Sequence, residues 1–370
     1  MKIFQTSNIY LGRRYEDNSA AGDRLRAGIK SLFANIIDTA RDDKADLVIL
    51  AGNIFDNLDL SQNLFDSFVS EIGRLEEVPV ILFPGRNDPY RAGSIWDYWR
   101  LMQPSKNLFL LAGKKPMQID FPKLSLTVYG IPYNSHRSLG HKLGMLKKNK
   151  TSQYHIAVTN GGEAGDKKDP DKGISFDPAP FAEFGFNYVA VGDLDGFTDL
   201  GNSNVKALSS GSPLVLTPGG QASGVLLINI EKDSFSTELK KVQGFEWKAV
   251  EISMDSIHNP DELKNRVLEY SGQYNLLRVE LSGLTLLETD LNIEYIKKEL
   301  EEHFLDLQFV DNTRVLPENI SEVKVQEKTV LGQYLKVMVK RLNSAGEKER
   351  EKLEKSLKIG YSLLSGRAVW

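Results

Sequence analysis

The sequence contains no cysteine and only five histidines in 370 residues. Without cysteine, the chain can form neither disulfides nor thiolate metal sites. No apolar stretch reaches the roughly 18 to 20 residues that a membrane-spanning helix needs, and the N-terminus leads directly into a predicted strand rather than into a basic region followed by an apolar one. These features predict a cytoplasmic protein.

The chain also lacks an excess of positive charge, since its formal net charge is -4. A strong nonspecific nucleic-acid binder normally needs a basic surface, so the overall charge argues against that class. The charge is uneven, however, because residues 321–370 contain eleven Lys or Arg against six Glu. A chain of this length is expected to form two or three domains. The excess of basic residues over 321–370 indicates that the C-terminal segment is a separate module.

Five short apolar runs along the chain each end in a polar or glycine-containing segment. They are Lys2–Thr6 before Ser7–Tyr10, Leu47–Ala51 before Gly52–Asp56, Val80–Phe83 before Pro84–Asp88, His155–Thr159 before Asn160–Gly162, and Tyr188–Val191 before Gly192–Asp195. Such runs predict strands, and helical spacing of apolar residues over 25–37 and 64–75 predicts helices that cover the sheet. Because the carboxyl ends of neighbouring strands in an α/β sheet share one edge, we expect the five loops to meet in a single crevice.

In this order and spacing, the five segments resemble the motifs of the calcineurin-like metallophosphoesterases, in particular the SbcD/YhaO-type branch of DNA repair exonucleases. Thr6–Arg14 is similar to the family motif TSDxHLGRR, with Asn8 and Tyr10 in place of Asp and His. Ala51–Asp56 is similar to AGDIFD, and Pro84–Asp88 is similar to the GNHD block. Asn160 falls where a lone His ends a strand in the family, and Gly192–Asp195 falls on GHxH.

The resemblance covers essentially the whole chain and implies an α/β (α+β) architecture. A calcineurin-like phosphoesterase domain, a β-sandwich flanked by helices, is expected over residues 1–245. A small βαβαβ capping domain is expected over residues 246–318, with strands at 250–253, 276–281 and 307–310 and a helix opened by Asn259-Pro260-Asp261-Glu262. Residues 319–370 are expected to form a C-terminal helical pair.

The chemistry of the family depends on two divalent ions, often manganese, which activate water and clamp phosphoryl oxygens. The resemblance implies that the ligand positions are occupied here by Asn8, Tyr10, Asn53, Arg86, Asn160, Asp193 and Asp195, and that Asn87 replaces an assisting His. A carboxamide is a weak, neutral ligand, and a guanidinium keeps its proton and repels a dication. We therefore expect no metal and no catalytic residue at these positions.

The remaining charged groups of the motifs leave alternatives open. Arg86 is either an internal counter-ion for the crowded aspartates or a solvent-facing side chain. Asp56 and Asp88 are retained motif acids, which make turn and backbone hydrogen bonds in the second interpretation. The five histidines lie outside the motif positions and are mostly expected on the surface or in loops.

The last fifty residues carry two apolar stripes at helical spacing, separated by Asn343–Gly346. In the family, a C-terminal helical pair grips the coiled-coil base of an SbcC-type ATPase. A hairpin this short has little core of its own, so the stripes are predicted to bind a partner, unless they fold back on their own domain. The predicted partner-binding residues are Leu331, Leu335, Met338, Leu353, Leu357 and Tyr361.

Two functions remain open from the sequence. In the first, the chain is a catalytically inactive scaffold for an SbcC/YhaN-like ATPase in DNA repair or processing. In the second, it is an active metal-dependent DNA exonuclease or phosphoesterase that binds Mn or Mg weakly through oxygen-only ligands. The resemblance also implies DNA and a second copy of the chain as partners.

Overall fold

The computed structural model of the chain describes residues 1–13, 20–102, 105–132, 142–161, 176–214, 223–232, 234–244, 246–254, 257, 259–286, 292–316 and 329–364. The backbone divides into two units, Met1–Glu246 and Trp247–Trp370. Across the described ranges, no helix is long and apolar enough to cross a membrane. The predicted boundary between residues 318 and 319 lies outside the described residues.

The first unit begins with a six-stranded sheet of order β12-β11-β1-β2-β3-β4. Its strands are β1 (Lys2–Thr6), β2 (Leu47–Ala51), β3 (Val80–Phe83), β4 (Leu108–Leu110), β11 (Val225–Ile230) and β12 (Phe235–Lys240). Strands β1 to β4 are parallel, whereas β11 runs antiparallel to β1 and to β12. Strand β2 is buried along its whole length, as expected for an apolar run covered on both faces.

A second six-stranded sheet in the same unit has the order β5-β6-β7-β8-β10-β9. Its strands are β5 (Met117–Phe121), β6 (Leu126–Ile131), β7 (Tyr154–Asn160), β8 (Tyr188–Gly192), β9 (Thr198–Asp199) and β10 (Ala207–Ser209). Strands β6, β7, β8 and β10 are parallel, and the edge strands β5 and β9 are antiparallel to their neighbours. The five strands predicted from the apolar runs are therefore present, but they belong to two sheets rather than one.

Apolar side chains from both sheets pack into one core. Ile49 and Ile81 of the first sheet share a cluster with Val158 and Ala190 of the second. Burial of this apolar surface is the main force that holds the two sheets face to face, as in a β-sandwich. The result is the α/β sandwich predicted for this part of the chain.

Helices cover the outer faces of the sandwich. The helices of the first unit are α1 (Ala20–Asp42), α2 (Gln62–Gly73), α3 (Ile95–Met102) and α4 (Ala179–Phe184). The N-terminus of α2 is capped by Ser61, whose hydroxyl accepts the Leu64 N–H at 3.3 Å. Phe68 of α2 stacks on Phe33 of α1 with a centroid distance of 5.2 Å. The apolar residues that give both segments their periodicity are buried, among them Ile29 and Ile36 of α1 and Leu64 and Ile72 of α2.

The second unit contains a three-stranded sheet of order β13-β14-β16, formed by β13 (Glu246–Ser253), β14 (Gly272–Ser282) and β16 (Phe304–Asp311). Two helices, α5 (Pro260–Leu268) and α6 (Ile293–Leu300), pack into its apolar core. Asn259 caps α5 by accepting the Glu262 N–H at 3.0 Å, with Pro260 in the first turn. The short strands β15 (Leu284–Leu286) and β17 (Arg314–Leu316) form a parallel pair.

Two further helices, α7 (Val330–Ser344) and α8 (Glu347–Leu364), form a hairpin. The predicted stripes pack against each other and form a small core, while their binding of a partner stays a prediction. That core contains Leu335, Met338 and Leu357, flanked by Leu331, Tyr334, Leu342, Leu353 and Tyr361. The exposed apolar side chains of the hairpin are different ones, namely Val330, Val337, Ile359, Leu363 and Leu364.

Candidate functional site

The motif loops of the first unit meet where the end of β8 lies against the end of β2. Gly192, at the end of β8, has no room for a side chain, since a Cβ there would lie 1.8 Å from the carbonyl oxygen of Ala51 at the end of β2. The loop residues named from the sequence are distributed over both sheets: Asn8, Tyr10, Asn53, Asp56, Arg86, Asn87 and Asp88 follow β1, β2 and β3, whereas Asn160, Asp193 and Asp195 end or follow β7 and β8.

Two side-chain amides form the base of the site. The Nδ2 of Asn53 donates to the Oδ1 of Asn8 at 2.9 Å, and the Oδ1 of Asn53 accepts the backbone N–H of Asn87 at 2.8 Å. The Nδ2 of Asn8 donates to the Leu194 carbonyl at 2.7 Å and to the Oδ1 of Asp195 at 3.4 Å. The hydrogen bonds of these two amides join four loops, those after β1, β2, β3 and β8. The bonds that the two Nδ2 atoms donate could not be made by a carboxylate at the same position.

Asp88 is fully buried and acts as a structural hub. Its two oxygens accept four backbone N–H groups, those of Asn53, Ile54, Phe55 and Gly85, at 2.5 to 3.1 Å. Burial raises the pKa of Asp88 to about 6, although the four hydrogen bonds lower it. Its oxygens face the backbone of the loop after β2 and of its own loop, so Asp88 holds these loops together.

Arg86 and Asp193 form a close pair of opposite charge. The Nε of Arg86 lies 3.8 Å from the Oδ2 of Asp193, and the Arg86 backbone N–H donates to the Oδ1 of Asp193 at 3.3 Å. Burial and the charge of Asp88 raise the pKa of Asp193 to about 7, against the lowering effect of Arg86. Desolvation outweighs the guanidinium here because the Arg86 side chain is 45% exposed and its charge is screened by water.

The other motif residues surround this pair. Tyr10 is largely buried, and burial, together with the charges of Asp195 and Asp193, raises the pKa of its hydroxyl. The Nδ2 of Asn160 donates to the Pro84 carbonyl at 3.3 Å. Asp56 is half-buried and its backbone N–H donates to the Leu11 carbonyl at 3.0 Å. Tyr10 is therefore a neutral phenol.

Four of the motif residues adopt a left-handed backbone conformation that non-glycine residues rarely take. They are Asn8 at φ 56°, Tyr10 at 55°, Asn53 at 50° and Asp193 at 65°. Each such residue costs of the order of 1 kcal/mol or more, and strain of this kind concentrates at functional sites. The loop backbones therefore hold a strained arrangement at this site.

Sequence reasoning missed one segment of the site, Ser209–Ser212. The Ser212 hydroxyl donates to the Asn8 carbonyl at 2.8 Å, and the Ser7 and Ser210 hydroxyls lie 3.2 Å apart. The signal in the sequence is a run of small residues, Ser209-Ser210-Gly211-Ser212, directly after an apolar segment. Because their side chains are small, these residues can approach the loop that contains Asn8 closely enough to form these hydrogen bonds.

The histidines do not supply the missing ligands within the described residues. His155 is buried, contrary to expectation, because it packs beside Tyr129, whose hydroxyl lies 3.1 Å from its Nδ1. His303 is half-exposed in the second unit, and His136, His141 and His258 lie outside the described residues. The part of the chain that the structure describes has no cluster of three or more His, Cys, Asp or Glu that could hold a metal ion.

Comparison with known proteins gives one similar curated sequence and several similar structures. No protein-family model matches the chain. The protein described as the uncharacterized metallophosphoesterase YhaO of Bacillus subtilis (strain 168) is 20% identical over 279 residues, which are 70% of this chain and 64% of that protein. The chain thus matches slightly less than two thirds of the length of this relative.

Among solved structures, GAP50, the anchor in the inner membrane complex of Plasmodium, is 10% identical, with a TM-score of 0.43 over 66% of this chain and 85% of that one. A dimetal phosphatase from Danio rerio is 9% identical, with a TM-score of 0.40 over 64% of this chain and 95% of that one. The similarity to YhaO, together with five motif segments gathered at one end of a two-sheet α/β sandwich, supports an assignment to the calcineurin-like metallophosphoesterase superfamily.

Proposed function

We propose that this protein is a catalytically inactive SbcD/YhaO-like subunit that serves as a cytoplasmic scaffold for an SbcC/YhaN-like ATPase in DNA repair or processing. The observation that carries the proposal is the hydrogen bond from Asn53 to Asn8. By the resemblance, Asn53 stands where the family has the carboxylate that both metal ions share. Here its side chain is neutral and is engaged by its neighbours on both sides.

The residues present do not fit a pair of divalent ions. Dinuclear centres need anionic bridging oxygens and imidazole or carboxylate ligands. This site offers amides at positions 8, 53 and 160, a neutral phenol at 10 and a permanent cation at 86. A guanidinium 3.8 Å from the buried carboxylate of Asp193 adds positive charge where a dication would need negative charge.

The hairpin of α7 and α8 supports the partner half of the proposal. Its own core is small, and among the residues whose side chains are described, five apolar ones are exposed on the two helices. Basic residues outnumber acidic ones in the last fifty residues, which favours an acidic partner surface or DNA near this end. Partner identity follows from the resemblance to SbcD-type proteins and is part of the proposal.

Calorimetric titration of the purified protein with Mn²⁺ and Mg²⁺, beside a nuclease assay on linear DNA, tests the inactive assignment. We expect neither micromolar binding nor metal-dependent cleavage. The positive control is a variant that restores the family ligands: Asn8→Asp, Tyr10→His, Asn53→Asp, Arg86→Asn, Asn87→His, Asn160→His, Asp193→His and Asp195→His. Because four of these positions already have the strained backbone, this variant should bind Mn²⁺. Binding together with cleavage by the unmodified protein would refute the proposal.

One observation favours the second candidate, an enzyme with an oxygen-only site. The Oδ2 of Asp193 and the Oδ1 of Asn160 are buried and have no hydrogen-bond partner among the described residues. Hard cations such as Mg²⁺ take oxygen ligands of this type. Under this alternative the unmodified protein cleaves DNA when Mn²⁺ or Mg²⁺ is added, and Asp193→Asn abolishes the cleavage.

A further inference from the structure

The ends of β7 and β8 present a small group of oxygen atoms that the hydrogen-bond network leaves incomplete. The side chain of Asp193 is fully buried, and its Oδ2 accepts no hydrogen bond from the residues that the structure describes. In the same part of the chain, the Oδ1 of Asn160 is likewise buried and has no hydrogen-bond partner. A buried polar atom that lacks a partner costs free energy, so some group is expected to compensate these oxygens.

The Arg86 side chain lies across the same strand ends. Its Nη2 donates to the Gly161 carbonyl, next to Asn160, at 3.4 Å, while its Nε approaches the Asp193 carboxylate at 3.8 Å. Asn160 and Asp193 lie at the ends of adjacent strands, because Asn160 pairs with Gly192, the residue before Asp193, in the sheet register and the Gly161 N–H donates to the Gly192 carbonyl at 2.9 Å. One guanidinium therefore reaches oxygens from both strands.

The charges around Asp193 are otherwise negative. Asp88 and Asp195 act on it with the same sign, and Arg86 acts with the opposite sign. A centre built from carboxylates in a cleft needs a positive charge to remain ionised and folded. Relatives of this fold would supply that charge as a pair of metal ions, which the residues present here, Arg86 among them, do not fit.

We infer that Arg86 is the built-in cation of this centre, and that its guanidinium covers a latent divalent-cation site formed by oxygens of Asp193, Asn160 and Gly161. The inference rests on the proposed absence of a native metal centre. It explains why the strained loops persist without ions: the positive charge that organises them is covalently attached. A guanidinium is bulky and permanently charged, so it excludes a dication as long as it is present.

Removal of the guanidinium should therefore create metal binding where the unmodified protein has none. The test compares the unmodified protein with Arg86→Ala and Arg86→Lys by calorimetric titration with Mn²⁺ and by thermal unfolding with and without Mn²⁺. Arg86→Ala should bind about one Mn²⁺ and gain roughly 3 °C or more in Tm when Mn²⁺ is tenfold above Kd. Arg86→Lys keeps a cation at this position and should bind at least about tenfold more weakly than Arg86→Ala.

Two controls make the result specific. Arg91→Ala removes an equal charge from an exposed position in the same loop region, and should leave both Mn²⁺ binding and Tm unchanged. The double variant Arg86→Ala with Asp193→Asn removes both members of the pair; it should lose the acquired Mn²⁺ binding and unfold at a higher temperature than Arg86→Ala alone. The double variant keeps the net charge of the unmodified protein. If Arg86→Ala folds poorly, a recovered Tm in the double variant would show that the uncompensated charge of Asp193 is the cause.

The inference fails if Arg86→Ala does not bind Mn²⁺, or if the double variant with Asp193→Asn binds Mn²⁺ as tightly as Arg86→Ala alone. Neither result affects the proposed lack of activity, which is tested on the unmodified protein. Conversely, Mn²⁺ binding and DNA cleavage by the unmodified protein would overturn both the proposed function and the role of Arg86.

Discussion

At position 88, a fully buried carboxylate binds four backbone N–H groups, and this arrangement makes Asp88 the side chain with the largest expected effect on stability. Asp88→Ala leaves four buried donors without a partner, each worth about 1 to 3 kcal/mol. We expect the free energy of unfolding to fall by at least about 4 kcal/mol, measured by urea denaturation. Asp88→Asn keeps one acceptor and should lose about half as much.

Asp56 provides the matched control, since it is the other retained motif acid and is half-buried. Asp56→Ala should change the free energy of unfolding by less than about 1 kcal/mol. Equal losses for Asp88→Ala and Asp56→Ala would show that the N–H cluster around Asp88 does not carry the stability assigned to it.

The two raised carboxylate pKa values predict an unusual pH dependence. The pKa of Asp88 is about 6 and that of Asp193 about 7, both above that of an aspartate in an unfolded chain. Between about pH 4 and pH 7, the folded protein therefore binds more protons than the unfolded chain, and its free energy of unfolding falls as pH rises. The titration of these two groups should therefore lower the urea concentration at the midpoint of unfolding at pH 7.5 relative to pH 5.0.

Comparison of variants separates this contribution from that of other residues. Asp193→Asn should flatten the loss of stability between pH 5.0 and 7.5. Asp120→Asn should not, because a hydrogen bond from Thr127 lowers the pKa of Asp120 and places its titration below this window. A slope that is the same in Asp193→Asn and in the unmodified protein would contradict a raised pKa at Asp193.

At the scale of secondary structure, the two sheets of the first unit depend on glycine at the end of β8. Gly192→Ala places a methyl group 1.8 Å from the Ala51 carbonyl oxygen, and backbone atoms cannot rotate away as a side chain can. We expect a loss of about 3 kcal/mol or more, or failure to fold, measured by urea denaturation and circular dichroism. Gly73→Ala, in α2 with open space around it, should be neutral or stabilising.

Local patterns were sufficient to predict most elements, because burial of one face imposes a regular spacing on the sequence. The all-apolar strand β2 and the capped helix α5 are clear examples. The separation into two sheets was not predictable in this way. A parallel strand that is buried on both faces has a continuous apolar sequence whichever sheet it belongs to. The hairpin core was missed for a similar reason: a stripe shows that a helix face is buried, but not which surface buries it.

The motif positions were predictable from the sequence, whereas their interactions were not. Spacing and order placed Asn8, Asn53 and Arg86 in neighbouring loops. The amide pairing and the direction of the guanidinium depend on side-chain rotamers and on contacts between residues far apart in sequence. The part played by Ser212 was missed because it follows a short strand with no polar motif of its own.

At the scale of the whole molecule, the proposed scaffold role requires a surface that binds a partner. Because the predicted stripes pack into the core of the hairpin, its exposed apolar side chains are the better candidates for contact with a partner. Val330 is 73% exposed and Val337 is 52% exposed, and they lie seven residues apart on α7, which places them on one face. Replacing these exposed side chains by polar ones should not destabilise the free hairpin, because they are not buried in it. The same replacement should weaken an interface that buries them.

We therefore expect the double variant Val330→Ser with Val337→Ser to fold with unchanged Tm and to lose at least about tenfold in affinity for the SbcC/YhaN-like ATPase of the same cell, measured by co-purification and by biolayer interferometry. Leu335→Ala should act differently, because it opens the hairpin core and lowers stability by about 2 to 4 kcal/mol. Tyr295→Ser, at a 57% exposed position of α6 in the same unit, is the matched control and should bind normally. Full affinity in a chain that lacks residues 329–370 would exclude the hairpin as the binding surface.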